Sequence, residues 1–420
     1  MGRWSGLVGR PEGMRASSLL AGVTVALSAA LGVAACGGWG SQPMTPSAGG
    51  VGVTFEDDVA FLRRHGEVTV LTTKEGGVVA VSPRYQGRVM TSGVGPRDRS
   101  LGWINRGFIE AGKTGTAFDN YGGEDRFWLG PEGGQYALYF PPGKPFAFDQ
   151  WQTPAAFQEG AWAVKSQDGT SVVMTRSIQV TNYAGTRFTM DVERTVRVLS
   201  AEDAQRRFGV AVPNAVRTVA FETENRITNK GAAAWTEEAG LVSVWILGMF
   251  APAEDAHVLI PFQPGPGPVV NDAYFGKVPA ERLRVDEAAG HLSFTCDGKL
   301  RSKIGLGPAR AKNVAGSYSA SARLLTVVHY DKPEGAKRYV NSMWETQKEP
   351  YGGDVINSYN DGPTAPGKPS LGGFYEIETS SPAAALAPGA SLVHVHRTFH
   401  FEGEKPALDG IARAALGVGL

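Results

Sequence analysis

A short glycine-rich segment carries the densest set of side chains that could bind a small polar ligand. Residues 119–135 read Asp-Asn-Tyr-Gly-Gly-Glu-Asp-Arg-Phe-Trp-Leu-Gly-Pro-Glu-Gly-Gly-Gln. An aromatic ring such as Trp128 can pack on the C–H face of a sugar, while Arg126 and Glu132 can bind its hydroxyl groups. The same composition is also typical of a structural loop, in which Arg126 pairs with a neighbouring carboxylate and Trp128 lies in the core.

Two further segments carry candidate binding or catalytic groups. Upstream, Arg88 and Asn105 follow glycines in Gly-Arg-Val and Gly-Trp-Ile-Asn. Late in the chain, Glu376 and Glu378 would share one face of a strand, about 7 Å apart if the strand is regular. Paired carboxylates suit glycoside chemistry, although the same pattern also fits a solvated strand face.

Histidines cluster near the end of the chain. The period of two in residues 392–401 puts His394, His396 and His400 on one face and Val393, Val395 and Phe399 on the other. We expect the valine face to pack in the core and His394 and His396 to face a polar cleft. A metal site is the weaker alternative, because His400 would lie about 13 Å beyond His396 along an extended strand.

The elements that must position these residues are mainly strands. Residues 187–198 alternate apolar and polar side chains, and only Arg194 breaks the pattern. Similar patterns occur at 67–72, 78–82, 87–92, 135–140, 171–179, 216–228, 241–250, 323–330, 372–378 and 391–401. Helical patterns are limited to 54–65, with Thr54 as its cap, and to 334–346 and 406–416. Many strands without a strand–helix–strand rhythm predict an all-β antiparallel sandwich.

Composition excludes several classes of function. The 41 basic and 41 acidic residues balance, which gives no electrostatic basis for binding nucleic acid. The sequence has no phosphate-binding loop, dinucleotide-binding glycine pattern or Cys-x-x-Cys motif, so no cofactor is predicted. Of the two cysteines, Cys36 belongs to the N-terminal segment described next, which leaves Cys296 with no partner for an intrachain disulfide.

The N-terminus resembles a bacterial lipoprotein signal. Arginines precede an apolar stretch that ends in Val-Ala-Ala before Cys36, the layout of a secretory signal followed by a lipobox. We therefore predict a signal peptide at 1–35, a flexible tether at 36–53 and a single β-sandwich domain at 54–420. Acylation of Cys36, for instance with palmitate, would anchor the protein in the cell envelope, on its periplasmic or cell-surface face. A membrane-spanning helix is the alternative, but the stretch is at the short limit for one.

The order of the short motifs resembles the galactose-mutarotase-like superfamily, and within it an uncharacterised family of bacterial secreted proteins or lipoproteins. The resemblance rests on Gly-Arg-Val at 87–89, Gly-Trp-Ile-Asn at 102–105, the run at 122–132, and Tyr-Glu-Ile-Glu at 375–378. It implies a large antiparallel β-supersandwich with a few short helices and a sugar-binding cleft. The residues that it places in this cleft are Arg88, Asn105, Arg126, Trp128 and Glu132.

The resemblance also implies a chemistry. Aldose 1-epimerases of that superfamily use a glutamate as base and a histidine as acid, because ring opening removes one proton and adds another. Glu376 matches the base. The His-Tyr-Phe segment that supplies the acid has no counterpart, since residues 271–275 contain Tyr-Phe without a histidine. His396 is then the candidate acid. The alternative is a carbohydrate-binding or structural envelope protein without catalysis.

Overall fold

The computed structural model describes residues 52–115 and 117–420, which belong to a compact unit spanning Thr45–Leu420. The predicted signal peptide, Cys36 and nearly all of the predicted tether lie outside the described residues. Within those residues, no helix is long and apolar enough to cross a bilayer.

Strands dominate this unit. The helices α1 to α4 are Phe55–Arg63, Arg106–Ala111, Ala201–Phe208 and Lys405–Leu416. The strands β1 to β18 are Thr69–Thr72, Val78–Ser82, Arg88–Gly93, Arg126–Gly130, Ala163–Gln167, Ser171–Thr181, Arg187–Leu199, Arg217–Asn229, Ser243–Phe250, His257–Pro261, Leu283–Asp286, His291–Thr295, Ser302–Leu306, Val314–Ser319, Leu324–Tyr330, Ile356–Asn360, Tyr375–Ser380 and Ser391–Glu402. Two short 3-10 helices lie at Phe148–Gln150 and Ala155–Phe157.

The strands form three antiparallel sheets. The largest has ten strands in the order β11-β12-β10-β14-β15-β18-β8-β7-β6-β5, the second has five in the order β13-β16-β17-β9-β4, and the third is β1-β2-β3. The ten- and five-stranded sheets pack face to face, since both contribute to the same buried apolar clusters. This arrangement confirms the predicted all-β antiparallel sandwich.

The long strands are amphipathic for the reason that the sequence suggests. In β7, the apolar side chains from Phe188 to Val196 are buried at every second position. Arg194, the one break in that pattern, is also fully buried and forms an ion pair with Asp125. The alternation therefore identifies the inward face correctly, and the charged exception on that face is matched by a carboxylate.

The helices cover surfaces that the sheets leave open. Thr54 caps α1 through a capping box with Asp57, as predicted, and Phe55 packs with strands β2 and β3. Helices α3 and α4 cover the outer face of the ten-stranded sheet, where Leu408 and Ile411 pack near Phe399. Both faces of β18 are consequently buried over its second half.

Two predicted elements are absent from the described residues. The segment 334–346 is not a helix, because Tyr339 donates its backbone N–H to Tyr351 and accepts one from Gly353. The segment 135–140 is a buried turn rather than a strand, and Ala137 and Leu138 bond back to residues 134 and 131. In both cases an apolar pattern reflects burial in an irregular segment.

Candidate functional site

The outer face of the five-stranded sheet carries the candidate site. Along β17, Tyr375 and Thr379 point toward the ten-stranded sheet, where they bond to Ser317 and to histidines of β18. Glu376 and Glu378 alternate with them and point the other way. The carboxylates therefore occupy the face of this sheet that does not pack on the larger sheet.

Strand register assembles the site from distant parts of the chain. Arg126 on β4 lies opposite Leu247 on β9, which in turn lies opposite Glu378 on β17. One step away on the same face, Trp128 lies opposite Trp245. The glycine-rich segment 119–135 thus contains the edge strand β4, and the alternation of this strand presents Arg126 and Trp128 on one face.

Loops close this face into an aromatic pocket. Its apolar lining is Phe118, Trp128, Phe148, Trp151, Trp245, Leu247, Phe275, Trp344, Tyr359, Leu371 and Phe374. Its charged lining is Arg126, Glu132, Arg301, Lys303 and Glu376. The cavity volume is about 60 Å3 for water-sized occupants, and the empty space at the site, with open solvent included, is about 490 Å3. The pocket is therefore a narrow slot between rings with a few convergent charges, the usual make-up of a small-molecule site.

Arg126 and Glu376 form an ion pair in the buried part of this pocket. The Arg126 guanidinium also lies over Trp128, with 4.3 Å from Cζ to the ring centroid. Its Nε and Nη1 atoms are buried and have no hydrogen-bond partner among the described residues. Unpaired buried donors are costly, so these atoms would gain from an acceptor placed in the pocket.

Burial raises the pKa of Glu376 to about 8, although Arg126 alone would lower it. The pKa of Glu132 is also raised, first by burial and then by nearby Glu378, while Lys303 acts in the opposite direction. Glu132 forms no salt bridge within the described part of the chain. The pocket thus holds one carboxyl group, Glu376, with a pKa near neutral pH, and a second, Glu132, whose pKa is shifted in the same direction, as is common for general acids and bases.

Lys303 is a pocket residue that the sequence analysis missed. Its Nζ lies 2.9 Å from Oε2 of Glu378, and the indole N–H of Trp245 donates to the same oxygen at 2.9 Å. Burial disfavours the charged amine, but Glu378 and Glu132 outweigh that effect and raise the pKa of Lys303. Lys303 is therefore a fixed cation whose position is set by Glu378.

Arg301 is the second missed cation, two residues earlier in the chain and immediately before β13. Its Cζ lies 3.8 Å from the centroid of Phe275 and 4.9 Å from that of Phe148. The only signal in the sequence is Arg-Ser-Lys at 301–303, in which two cations share one side of a strand. Without knowledge that β13 is the other edge of this sheet, that signal does not point to a site.

Arg88 and Asn105 do not line the pocket, contrary to the prediction. Arg88 is buried, donates to the Gly122 carbonyl at 2.8 Å and to Gln86 at 3.1 Å, and lies over the Tyr121 ring. Asn105 caps α2 by accepting the Phe108 N–H. Both residues stabilise, through these hydrogen bonds, the segments that precede β4, so each has a structural role outside the pocket.

The histidine strand is the reverse of what we expected. His394 and His396 lie between the two large sheets, where both bond to Thr379 Oγ1 at 2.9 Å. Val393 is 38% exposed, so its face is not the core of the sandwich. The prediction failed because helices cover part of the outer face of β18, and apolar residues there do not mark the face between the sheets.

His396 therefore cannot act with Glu376, since His396 points from the ten-stranded sheet into the space between the two sheets, whereas Glu376 lies on the opposite face of the five-stranded sheet. Burial lowers the pKa of His396 to about 4, so it is neutral at physiological pH. His400 contacts Glu124 and Thr326 in the interior. Among the described residues, no group of three histidine, cysteine or acidic side chains could hold a metal ion.

Several solved structures resemble this fold at low sequence identity. A protein from Escherichia coli K12, provisionally described as an aldose 1-epimerase, is 10% identical, with a TM-score of 0.46 over 80% of this chain and 99% of the other. A galactose mutarotase related enzyme from Lactobacillus acidophilus is 10% identical, with a TM-score of 0.44 over 80% and 98%. A galactose mutarotase-like protein from Lactobacillus casei is 9% identical, with a TM-score of 0.41 over 80% and 100%.

At the level of sequence, no curated protein is similar enough to match this chain. One family does match, and it covers residues 53–420, which include the whole of the sandwich and the pocket. The chain therefore belongs to the family described as Family of unknown function (DUF6786).

Proposed function

We propose that this protein binds a small carbohydrate in the aromatic pocket on the five-stranded sheet. The observation that carries the proposal is Arg126, a buried guanidinium with two unpaired donor nitrogens in a pocket walled by aromatic rings. A sugar supplies hydroxyl acceptors for such donors and apolar C–H faces for the rings. Tryptophan stacking alone would suit many apolar ligands, but the charges favour a polyhydroxylated one.

Acid and base chemistry on that sugar is a second candidate function. It is favoured by two buried carboxyl groups, Glu376 and Glu132, that line the same pocket, and by the upward shift that burial gives to both pKa values. Glu132 takes the place that the sequence analysis gave to His396. Opening of a sugar ring at its anomeric carbon needs a proton removed from a hydroxyl and another delivered to the ring oxygen.

The site would work at the cell envelope. We propose that acylation of Cys36 tethers the chain to a membrane, so that residues 36–53 hold the sandwich near the periplasmic or cell-surface face. The warrant is the lipobox-like Val-Ala-Ala-Cys sequence. A tethered protein of this kind would meet carbohydrates of the envelope or of the medium.

Calorimetric titration with a panel of monosaccharides and uronic acids tests the binding. We expect at least one sugar to bind, and Arg126→Ala to weaken its binding about tenfold or more, because a charge-assisted hydrogen bond is worth ~1.5–3 kcal/mol. Arg338→Ala is the matched control, since that arginine forms an exposed ion pair with Glu237 and does not line the pocket. If no sugar binds, or if Arg126→Ala binds as the unchanged protein does, the proposal is wrong.

Turnover needs a separate measurement. Polarimetry or NMR of a freshly dissolved anomer would detect epimerisation of the best ligand. Glu376→Gln and Glu132→Gln should each abolish any acceleration while ligand binding persists. Acceleration that survives both substitutions would place the chemistry elsewhere.

A further inference from the structure

We infer that the ligand of this pocket is a sugar that carries a carboxylate, and that Arg301 recognises that group. The inference rests on the proposed function, because it names the class of carbohydrate for the same pocket. It begins from the pairing of the charged side chains that line the pocket.

Arg301 is the pocket cation without a carboxylate partner in the described part of the chain. Arg126 pairs with Glu376, and Lys303 pairs with Glu378. Arg301 has no carboxylate within 4.0 Å among the described residues, and its only hydrogen bond is a long one of 3.4 Å from Nε to the Tyr359 hydroxyl. Its two terminal nitrogens therefore keep their donors for a ligand.

Aromatic rings surround this guanidinium. Arg301 Cζ lies 3.8 Å from the Phe275 centroid, 4.9 Å from that of Phe148 and 5.8 Å from that of Trp344. Rings packed around a guanidinium limit its contact with water. Its two terminal nitrogens present parallel N–H groups that match the two oxygens of a carboxylate.

Phe148 shows where this group lies in the pocket. It is 40% exposed, so the Arg301 end of the pocket opens to solvent, whereas Arg126 and Glu376 are buried. A uronic acid could place its ring against the inner aromatic side chains and direct its carboxylate toward the more open end. A carboxylate there avoids the full cost of burying a charge.

Glu132 offers the main alternative. It also lacks a salt bridge, yet it lies more than 4.0 Å from Arg301, so the two do not neutralise each other directly. A neutral sugar could bridge them through two hydroxyl groups. That arrangement would give no preference for an anionic ligand, which makes the two possibilities distinguishable.

The experiment compares matched ligand pairs by calorimetry at constant ionic strength, namely glucuronate with glucose and galacturonate with galactose. We expect the unchanged protein to bind at least one uronate about tenfold or more tightly than its neutral counterpart. Arg301→Gln should reduce that preference to about twofold or less, whatever its effect on the affinity for the neutral sugar. Arg301→Lys, which keeps the charge but loses the paired donors, should keep only part of the preference. Arg338→Gln, which removes an exposed charge, should keep all of it.

The outcomes distinguish failure of this inference from failure of the proposed function. Equal binding of uronates and neutral sugars would overturn this inference and leave the proposed function standing. A uronate preference that persists in Arg301→Gln would overturn the assignment to Arg301. If Arg301→Gln does not fold, as judged by its thermal transition, full retention of the preference in Arg301→Lys would overturn the paired-donor recognition. Failure of all four sugars to bind would overturn both the inference and the proposed function.

Discussion

Replacing Arg194 by methionine should destabilise this protein strongly, although Arg194 does not line the pocket. Arg194 and Asp125 form an ion pair in which both side chains are fully buried. Arg194 also donates to the Gly87 carbonyl at 2.9 Å and to Asn225. Methionine fills a similar length of the core but supplies none of these donors.

The magnitude follows from the charge that remains. Removal of one partner of a buried ion pair typically costs about 3–5 kcal/mol, because the other charge stays buried and uncompensated. Asp125 would keep only the Thr223 hydroxyl, which donates at 3.0 Å. We therefore expect the free energy of unfolding to fall by at least about 3 kcal/mol. Adding Asp125→Asn to Arg194→Met should recover part of the loss, since it removes the stranded charge.

Urea titration followed by circular dichroism measures the effect as a shift in the transition midpoint. Arg187→Met is the matched control, because Arg187 lies on the same strand, is exposed and forms no ion pair among the described residues. That control should change stability by no more than about 0.5 kcal/mol. If Arg194→Met unfolds within about 1 kcal/mol of Arg187→Met, or if Asp125→Asn worsens it, the reasoning about the buried charge is wrong.

Three further predictions concern titration, reactivity and anchoring. Because the folded pKa of Glu376 is raised from 4.5 to about 8, its protonated form stabilises the fold at low pH, and this stabilisation is lost as pH rises through about 8. Glu376→Gln should therefore flatten the fall in thermal stability between pH 5 and 9, and an unchanged slope would contradict the shift. Burial raises the pKa of Cys296 to about 12, so iodoacetamide should label it only after unfolding, and rapid labelling of native protein would contradict its burial. Cys36→Ser should move the protein from the membrane to the soluble fraction, and an unlipidated, soluble parent protein would refute the anchor.

The sequence predicts long two-faced strands well, because one face of each meets the core and the other meets solvent. Strand β6 at Ser171–Thr181 and strand β7 at Arg187–Leu199 follow this rule. Short strands buried on both faces give no such contrast. All five residues of β13 at Ser302–Leu306 are buried, and the sequence analysis did not identify this strand.

The same limit explains the error at β18. Alternation separates the histidines from the valines and phenylalanines correctly, as two faces of one strand. It does not say which face meets the other sheet, because α4 buries Phe399 and Phe401 on the outer side. The position of the C-terminal helix decides which face of β18 meets the other sheet, and that position depends on tertiary packing rather than on the local sequence.

The composition of the pocket was partly predictable, but its assembly was not. Arg126, Trp128, Glu132 and Glu376 were identified by chemical type, and all four line the pocket. Contact between Arg126 and Glu376 depends on the strand order β17-β9-β4, which joins segments 250 residues apart. No local pattern encodes that order. Lys303 and Arg301 were missed for the same reason, since they reach the pocket from the opposite edge of the sheet.

The five-stranded sheet gives the pocket a rigid floor. Arg126 is held between Glu376 and the Trp128 ring, and Lys303 is held by Glu378, which Trp245 also binds. Charges fixed in this way lose little conformational freedom when a ligand arrives, so more of each contact contributes to affinity. The solvent-facing side of the pocket, its roof, is different. Phe148 lies in a short 3-10 helix, Arg301 lies next to the edge strand β13, and both are partly exposed. It follows that substitutions in the floor should change affinity for every ligand alike, whereas substitutions in the roof should change which ligand is preferred.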